Sequence, residues 1–185
     1  MLKILIIILI VLNFYNPALT SVKEDIISKI QITNNLSFNF IQTVDDKSEN
    51  GKCILAYPRK IYCEYDGANK KIIVSNGKSL VIKTNNNNNR YIYPLDKTPL
   101  KYLLDKEYLI SKIEVLEPRI IDDKYLNFKM LENNSEINIF FDKKNLNLIG
   151  WQTEDIYQNL SITFISSVRI NQKIDKRKFV LPKNN

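Results

Sequence analysis

Few residues in this chain of 185 have the types and spacing to do chemistry. Cys53 and Cys63, its two cysteines, flank Pro58 symmetrically within the stretch Gly51–Tyr65. Pro58 fixes φ and lacks an N–H, so it marks a turn between two β-prone runs and not the middle of a strand. If the turn is centred there, the cysteines fall opposite each other on one face of a hairpin. They are then either a cross-strand disulfide or two packed thiols. The spacing is too wide for a redox dithiol, and histidine is absent, so nothing stands ready to activate a thiolate. The absence of histidine also removes Ser-His-Asp and Cys-His catalysis and His-based metal sites. The carboxylate pairs Asp45-Asp46, Asp122-Asp123 and Glu154-Asp155 lie in expected turns, and neighbours on a strand would point to opposite faces, so none reads as an acid/base pair. Ser75-Asn76-Gly77-Lys78 joins strand to strand, with no helix N-terminus to hold a phosphate. No enzyme, no metal and no cofactor are expected.

The elements that carry these residues follow from periodicity. Ser21–Thr33 places Val22, Ile26, Ile27 and Ile30 at helical intervals, with Ser21 as N-cap candidate. Leu36, Phe38 and Phe40 share one face of a strand running to Val44, and Asp45–Asn50 reads as a turn. The cysteine hairpin follows, then a second hairpin turning at Asn76-Gly77. Asn85–Asn89 is a polar loop before the strand Arg90–Pro94. Thr98 and Pro99 begin a short helix with the apolar stripe Leu100, Leu103 and Leu104, while Tyr108–Leu116 is mixed in pattern. From Tyr125 onward strands alternate with turns, at Asn133-Asn134, at Asp142–Asn145 and near Asp155–Gln158. Leu160–Ile170 has the clearest period of two, and Phe179 and Leu181 are expected to tuck back from the tail. The sum is an α+β antiparallel meander whose helices cover one side of a curved sheet. Such a sheet either encloses an apolar cavity or packs a filled core.

One domain accounts for the length, and no linker divides it. Met1-Leu2-Lys3, the apolar run Ile4–Leu12 and the small residues after Pro17 predict a signal peptide over residues 1–20, with an uncleaved anchor as the alternative. The mature domain is then 21–185, in an oxidising compartment that permits a disulfide. The net charge of +7 is scattered among acids without a basic, aromatic-laced run, so nucleic acid is not an expected partner. An anionic membrane surface or an acidic partner suits it better.

The order of motifs carries a resemblance. Phe38-x-Phe40-x-Gln42, Gly51-x-Cys53-x-Leu55-x-Tyr57-Pro58-x-Lys60-Ile61-x-Cys63-Glu64-Tyr65, Val74–Leu80, Thr98-Pro99-Leu100-x-x-Leu103-Leu104, Leu148–Thr153 with Asp155, and Lys178-Phe179-x-Leu181-Pro182 together resemble the LolA family of periplasmic outer-membrane lipoprotein carriers. The resemblance spans the mature chain. It implies an unclosed β-barrel, a half-barrel covered by a few short helices, enclosing a hydrophobic cavity. It implies a monomeric periplasmic chaperone that takes triacylated lipoproteins from an inner-membrane ABC transporter to an outer-membrane acceptor or to the membrane itself. A carrier of free lipid or glycolipid on the same fold is the alternative. The implied cavity residues are Phe38, Phe40, Ile61, Leu100, Leu103 and Leu104, with Tyr57 and Pro58 at the rim; ordinary core is the competing role for each. Three positions depart from the family pattern. The arginine that commonly precedes the hairpin proline, where it latches the lid, is Tyr57 here; the aromatic three residues after that proline is Ile61; and the acid before the second hairpin's glycine is Asn76.

Overall fold

A computed structural model describes residues 17–183 apart from 69, 85–88, 133–134 and 155–158. Most of the expected signal peptide, residues before Pro17, residues 85–88 of the polar Asn85–Asn89 loop, and the expected turns at Asn133-Asn134 and Asp155–Gln158 lie outside the described residues.

Among the described residues, eleven strands form one antiparallel sheet: β1 Asn35–Val44, β2 Lys47–Ala56, β3 Lys60–Tyr65, β4 Ile72–Asn76, β5 Ser79–Lys83, β6 Arg90–Pro94, β7 Arg119–Ile121, β8 Tyr125–Glu132, β9 Ser135–Asp142, β10 Leu148–Glu154 and β11 Leu160–Ile170. Their order is β6-β5-β4-β3-β2-β1-β11-β10-β9-β8-β7. The long outer strands of the sequence, β1 and β11, therefore meet in the middle, and the two edges, β6 and β7, do not pair with each other. The sheet is an unclosed half-barrel, as expected. Three α-helices among the described residues sit on it: α1 Pro17–Ile32, α2 Leu100–Leu104 and α3 Lys106–Val115.

Local differences from the sequence reading have identifiable causes. Helix α1 begins at Pro17 and not at Ser21, since proline suits the first helical turn, where an N–H has no partner anyway. Thr98 does not cap α2. Its hydroxyl donates to the Leu95 carbonyl at 2.9 Å, closing the 3-10 turn Leu95–Lys97, and Pro99 stands at the N-cap. The mixed stretch Tyr108–Leu116 is mostly α3. The carboxylate of Asp105 accepts the Tyr108 N–H at 3.1 Å, and Leu109, Ile110 and Ile113 supply the buried stripe. The expected turn Asp45–Asn50 is only Asp45-Asp46, because β2 already pairs with β1 from Lys47.

The alternation expected of β11 is real, and over the first half the buried residues are Ser161, Thr163 and Ile165, while Leu160 and Phe164 face solvent. The polar pair is satisfied inside: Gln42 donates through Nε2 to Ser161 Oγ at 3.1 Å, and Tyr65 donates its hydroxyl hydrogen to Gln42 Oε1 at 2.7 Å. The pairing with β1 then shifts between Ser37 and Asn39, and Ser167 adopts φ 53°. This bulge resets the alternation, so that Val168 and Ile170 turn toward the helices.

Candidate functional site

Leu36, Phe38 and Phe40 lie on one face of β1, yet they meet different surroundings along its length. At the Phe40 end the interior is filled. Phe40 is paired with Gly51, where an added Cβ would meet the ring at 2.9 Å, and its ring packs edge-on against Tyr65 at 4.8 Å between centroids. At the Leu36 end the helices stand away from the sheet and leave a cavity of about 330 Å³.

The floor of that cavity is sheet: Leu36, Leu55 opposite Ile61, Ile139 and Phe141, Leu148 and Trp151, and past the bulge Val168 and Ile170. Its roof is Ile30 of α1, Leu100, Leu103 and Leu104 of α2, and Leu109 of α3. Lys29, Ile32, Thr33, Leu146 and Asn147 gather at its mouth, which Ile32 at 63% and Ile170 at 45% exposure mark as open to solvent. Large side chains that touch empty space instead of each other forgo dispersion contacts, so the cavity is a standing cost unless something apolar fills it.

Of the expected cavity residues, Ile61, Leu100, Leu103, Leu104 and the rim residue Tyr57 line this space. Phe38 and Phe40 are not among the residues that line it. Phe38 is 3% exposed and supports Trp151 from the side, ring centroids 6.1 Å apart, so it is Trp151 that reaches the cavity. Pro58 lies in the β2–β3 turn and is not part of the lining. Residues that sequence reasoning passed over include Leu36, Leu55, Trp151, Val168 and Lys29. Leu36 and Leu55 carried a usable signal, since each shares a strand face with a residue already singled out.

The cysteines are Cα partners across β2 and β3 and form a disulfide, Cα atoms 4.1 Å apart. Both are buried in the wall that holds Leu55 and Ile61.

Surface bonds hold the roof down. The Arg59 N–H in the β2–β3 turn donates to the carbonyl of Leu104 at 2.9 Å, and the Arg59 guanidinium pairs with Asp96, holding that carboxyl below the usual range. Lys106 of α3 donates to the Gln31 carbonyl at 3.0 Å and lies 5.3 Å from the centre of the Tyr57 ring. Asn171 donates through Nδ2 to the Ile32 carbonyl at 2.9 Å. Tyr57 carries a backbone bond to Asn34 O, and burial, reinforced by the Asp105 carboxylate, lifts its hydroxyl well above the usual tyrosine range. A neutral Tyr57 therefore faces the cavity at every physiological pH.

A curled, unclosed sheet that is hollow at one end and roofed by tethered helices defines a half-barrel built around an apolar cavity. The chain belongs to the family described as outer membrane lipoprotein carrier protein LolA, whose pattern matches residues 31–182. Among solved structures, an uncharacterized conserved protein from Thermus thermophilus has the same fold at TM-score 0.52 and 8% identity, over 88% of this chain and 93% of that one. A LolA superfamily protein from Nitrosomonas europaea aligns at TM-score 0.45 and 9% identity (86% and 96% of the two chains). A putative outer membrane lipoprotein-sorting protein domain from Vibrio parahaemolyticus aligns at 0.46 and 7% (84% and 95%). No curated protein matches the sequence at a significant level.

Proposed function

We propose that this protein is a periplasmic carrier without enzymatic activity, which shelters the acyl chains of lipoproteins released from the inner membrane by an ABC transporter and delivers them to the outer membrane. The observation that carries the reading is the apolar cavity under a roof fastened by surface bonds. Each methylene removed from water is worth roughly 0.8 kcal/mol, so free acyl chains do not cross an aqueous space unescorted. Unloading requires the roof to move, and bonds at the surface are cheap to break. No helix among the described residues is long and apolar enough to cross a membrane.

The cavity volume favours a second reading alongside the first. At about 330 Å³ it is roughly twice the ~150 Å³ void that takes one benzene. Three acyl chains need an open roof, whereas a free lipid with one chain fits with little movement. Copurification separates the two. Expressed together with lipoproteins, the protein should carry triacylated cargo that detergent releases; recovery of free lipid alone would favour the second reading. Trp151, the only tryptophan, sits in the cavity wall and serves as an internal probe, with saturable blue-shifted fluorescence expected as chains displace water.

A further inference from the structure

Lys29 is the one charged side chain lining the cavity among the described residues. It stands on the last turn of α1 and reaches across the mouth to the β9–β10 turn, where its ammonium donates to Asn145 O at 2.5 Å and to Asn147 Oδ1 at 3.1 Å. Both acceptors are neutral. No carboxylate among the described residues pairs with Lys29, and the turn's own acid, Asp142, is occupied by the N–H groups of Lys144 and Asn145, each 2.9 Å from its Oδ1. An ammonium has three donors, and only two are committed here. A solvent-exposed positive charge with no paired carboxylate therefore stands at the mouth of an otherwise apolar cavity. Asn147 adds a neutral polar edge to the same mouth, while the buried Thr33 donates its hydroxyl hydrogen to the Lys29 carbonyl at 2.7 Å.

From this we infer that the cavity selects a single-chain lipid with an anionic head: the chain lies against Leu55, Ile61 and Trp151, and Lys29 turns from Asn145 and Asn147 to pair with the head group. The inference rests on the reading that the cavity takes acyl chains, and adds head-group selection to it. Carboxylate and phosphate heads share the required chemistry, a compact anion able to accept charge-assisted hydrogen bonds. The exchange is favourable because neutral acceptors give way to a charged one. A lysine that only tethers α1 to the turn would leave the head group without influence.

The test titrates the full protein with laurate, lauroyl lysophosphatidate, dodecanol and dodecyltrimethylammonium, each below its micelle concentration, following Trp151 fluorescence. At least one anionic amphiphile should bind roughly tenfold or more tighter than dodecanol, and the cationic one more weakly than dodecanol. The tighter of the two anions identifies the head. Lys29→Met should bring anion and alcohol to within about twofold of each other, and Lys29→Glu should reverse the order. Because Lys29 is exposed, both variants should keep the parent thermal transition. Equal affinity for all heads, or a preference that survives Lys29→Met, overturns the inference but leaves the acyl-chain reading standing. If none of the four binds, the inference falls together with the single-chain reading, while the lipoprotein reading still stands or falls by copurification.

Discussion

The backbone N–H of Arg59 donates to the carbonyl oxygen of Leu104 at 2.9 Å, so the turn of the disulfide-bridged hairpin is fastened to the last residue of roof helix α2. The side chain of Arg59 adds an ion pair to Asp96, at the start of the same roof segment. Tyr57, which precedes the hairpin proline, lies two positions earlier in the chain.

Arg59→Ala keeps the backbone bond and removes the ion pair. Since the Asp96 side of the pair is 67% exposed and the Arg59 side only partly buried, the melting temperature should change little, while cargo release, followed by Trp151 fluorescence on dilution, should quicken severalfold. Raising salt should have the same effect on the parent protein and none on the variant. An unchanged release rate in Arg59→Ala would show that the ion pair is no part of the fastening.

Ile61 lines the cavity floor and is 3% exposed. Ile61→Glu should abolish binding of acyl chains, because the carboxylate either stays charged and draws water into the cavity or is held neutral at a cost. The cavity gives it room that a filled core would not. The domain should therefore stay folded by circular dichroism, whereas a glutamate at Phe40 should unfold it.

Gly51 is where the filled end of the interior is most demanding. A Cβ there would stand 2.1 Å from the Glu64 carbonyl oxygen and 2.9 Å from the Phe40 ring. Gly51→Ala should cost about 3 kcal/mol or more in urea unfolding. A value below about 1 kcal/mol would mean that β2 and β3 slide apart easily.

Alkali should weaken the fold. Burial raises Tyr57 and Tyr65 well above the usual range and, with the Glu64 hydrogen bond, takes Tyr62 to about 12. The unfolded chain releases these protons near pH ~10 while the folded protein keeps them, so unfolding releases protons and stability falls as pH rises beyond that point. Below it, the contribution is fully present. Unfolding free energy should be level between about pH 8 and 10 and decline above, less steeply in Tyr57→Phe.

The Cys53–Cys63 bridge should appear as a loss of two hydrogens by mass spectrometry relative to the reduced protein. Replacing both cysteines by serine should lower stability by about 2–3 kcal/mol, since the loop between them is short. If the bridge also stiffens the cavity wall, the same variant should release cargo faster; unchanged release would confine its role to stability.

Much of the architecture follows from the sequence alone, because strand alternation, turn residues and caps act over a few neighbours. The hairpin about Pro58, the opposition of Cys53 and Cys63, the common face of Leu36, Phe38 and Phe40, and the α2 stripe all have this local origin. Helix α3 is obscured in the sequence because its apolar residues are interrupted by lysine and glutamate, and its cap, Asp105, follows directly on α2. What tertiary structure alone decided is which apolar face is core and which is cavity. Leu36 and Phe40 look equivalent in sequence; Gly51 lets Phe40 fill one end, while tethered helices hold the other end open over Leu36. Likewise nothing local reveals that Leu160 and Phe164 face outward and Val168 inward, because the bulge at Ser167 is set by the partner strand. Alternation marks two faces, but only long-range pairing and the placement of the helices determine what each face meets.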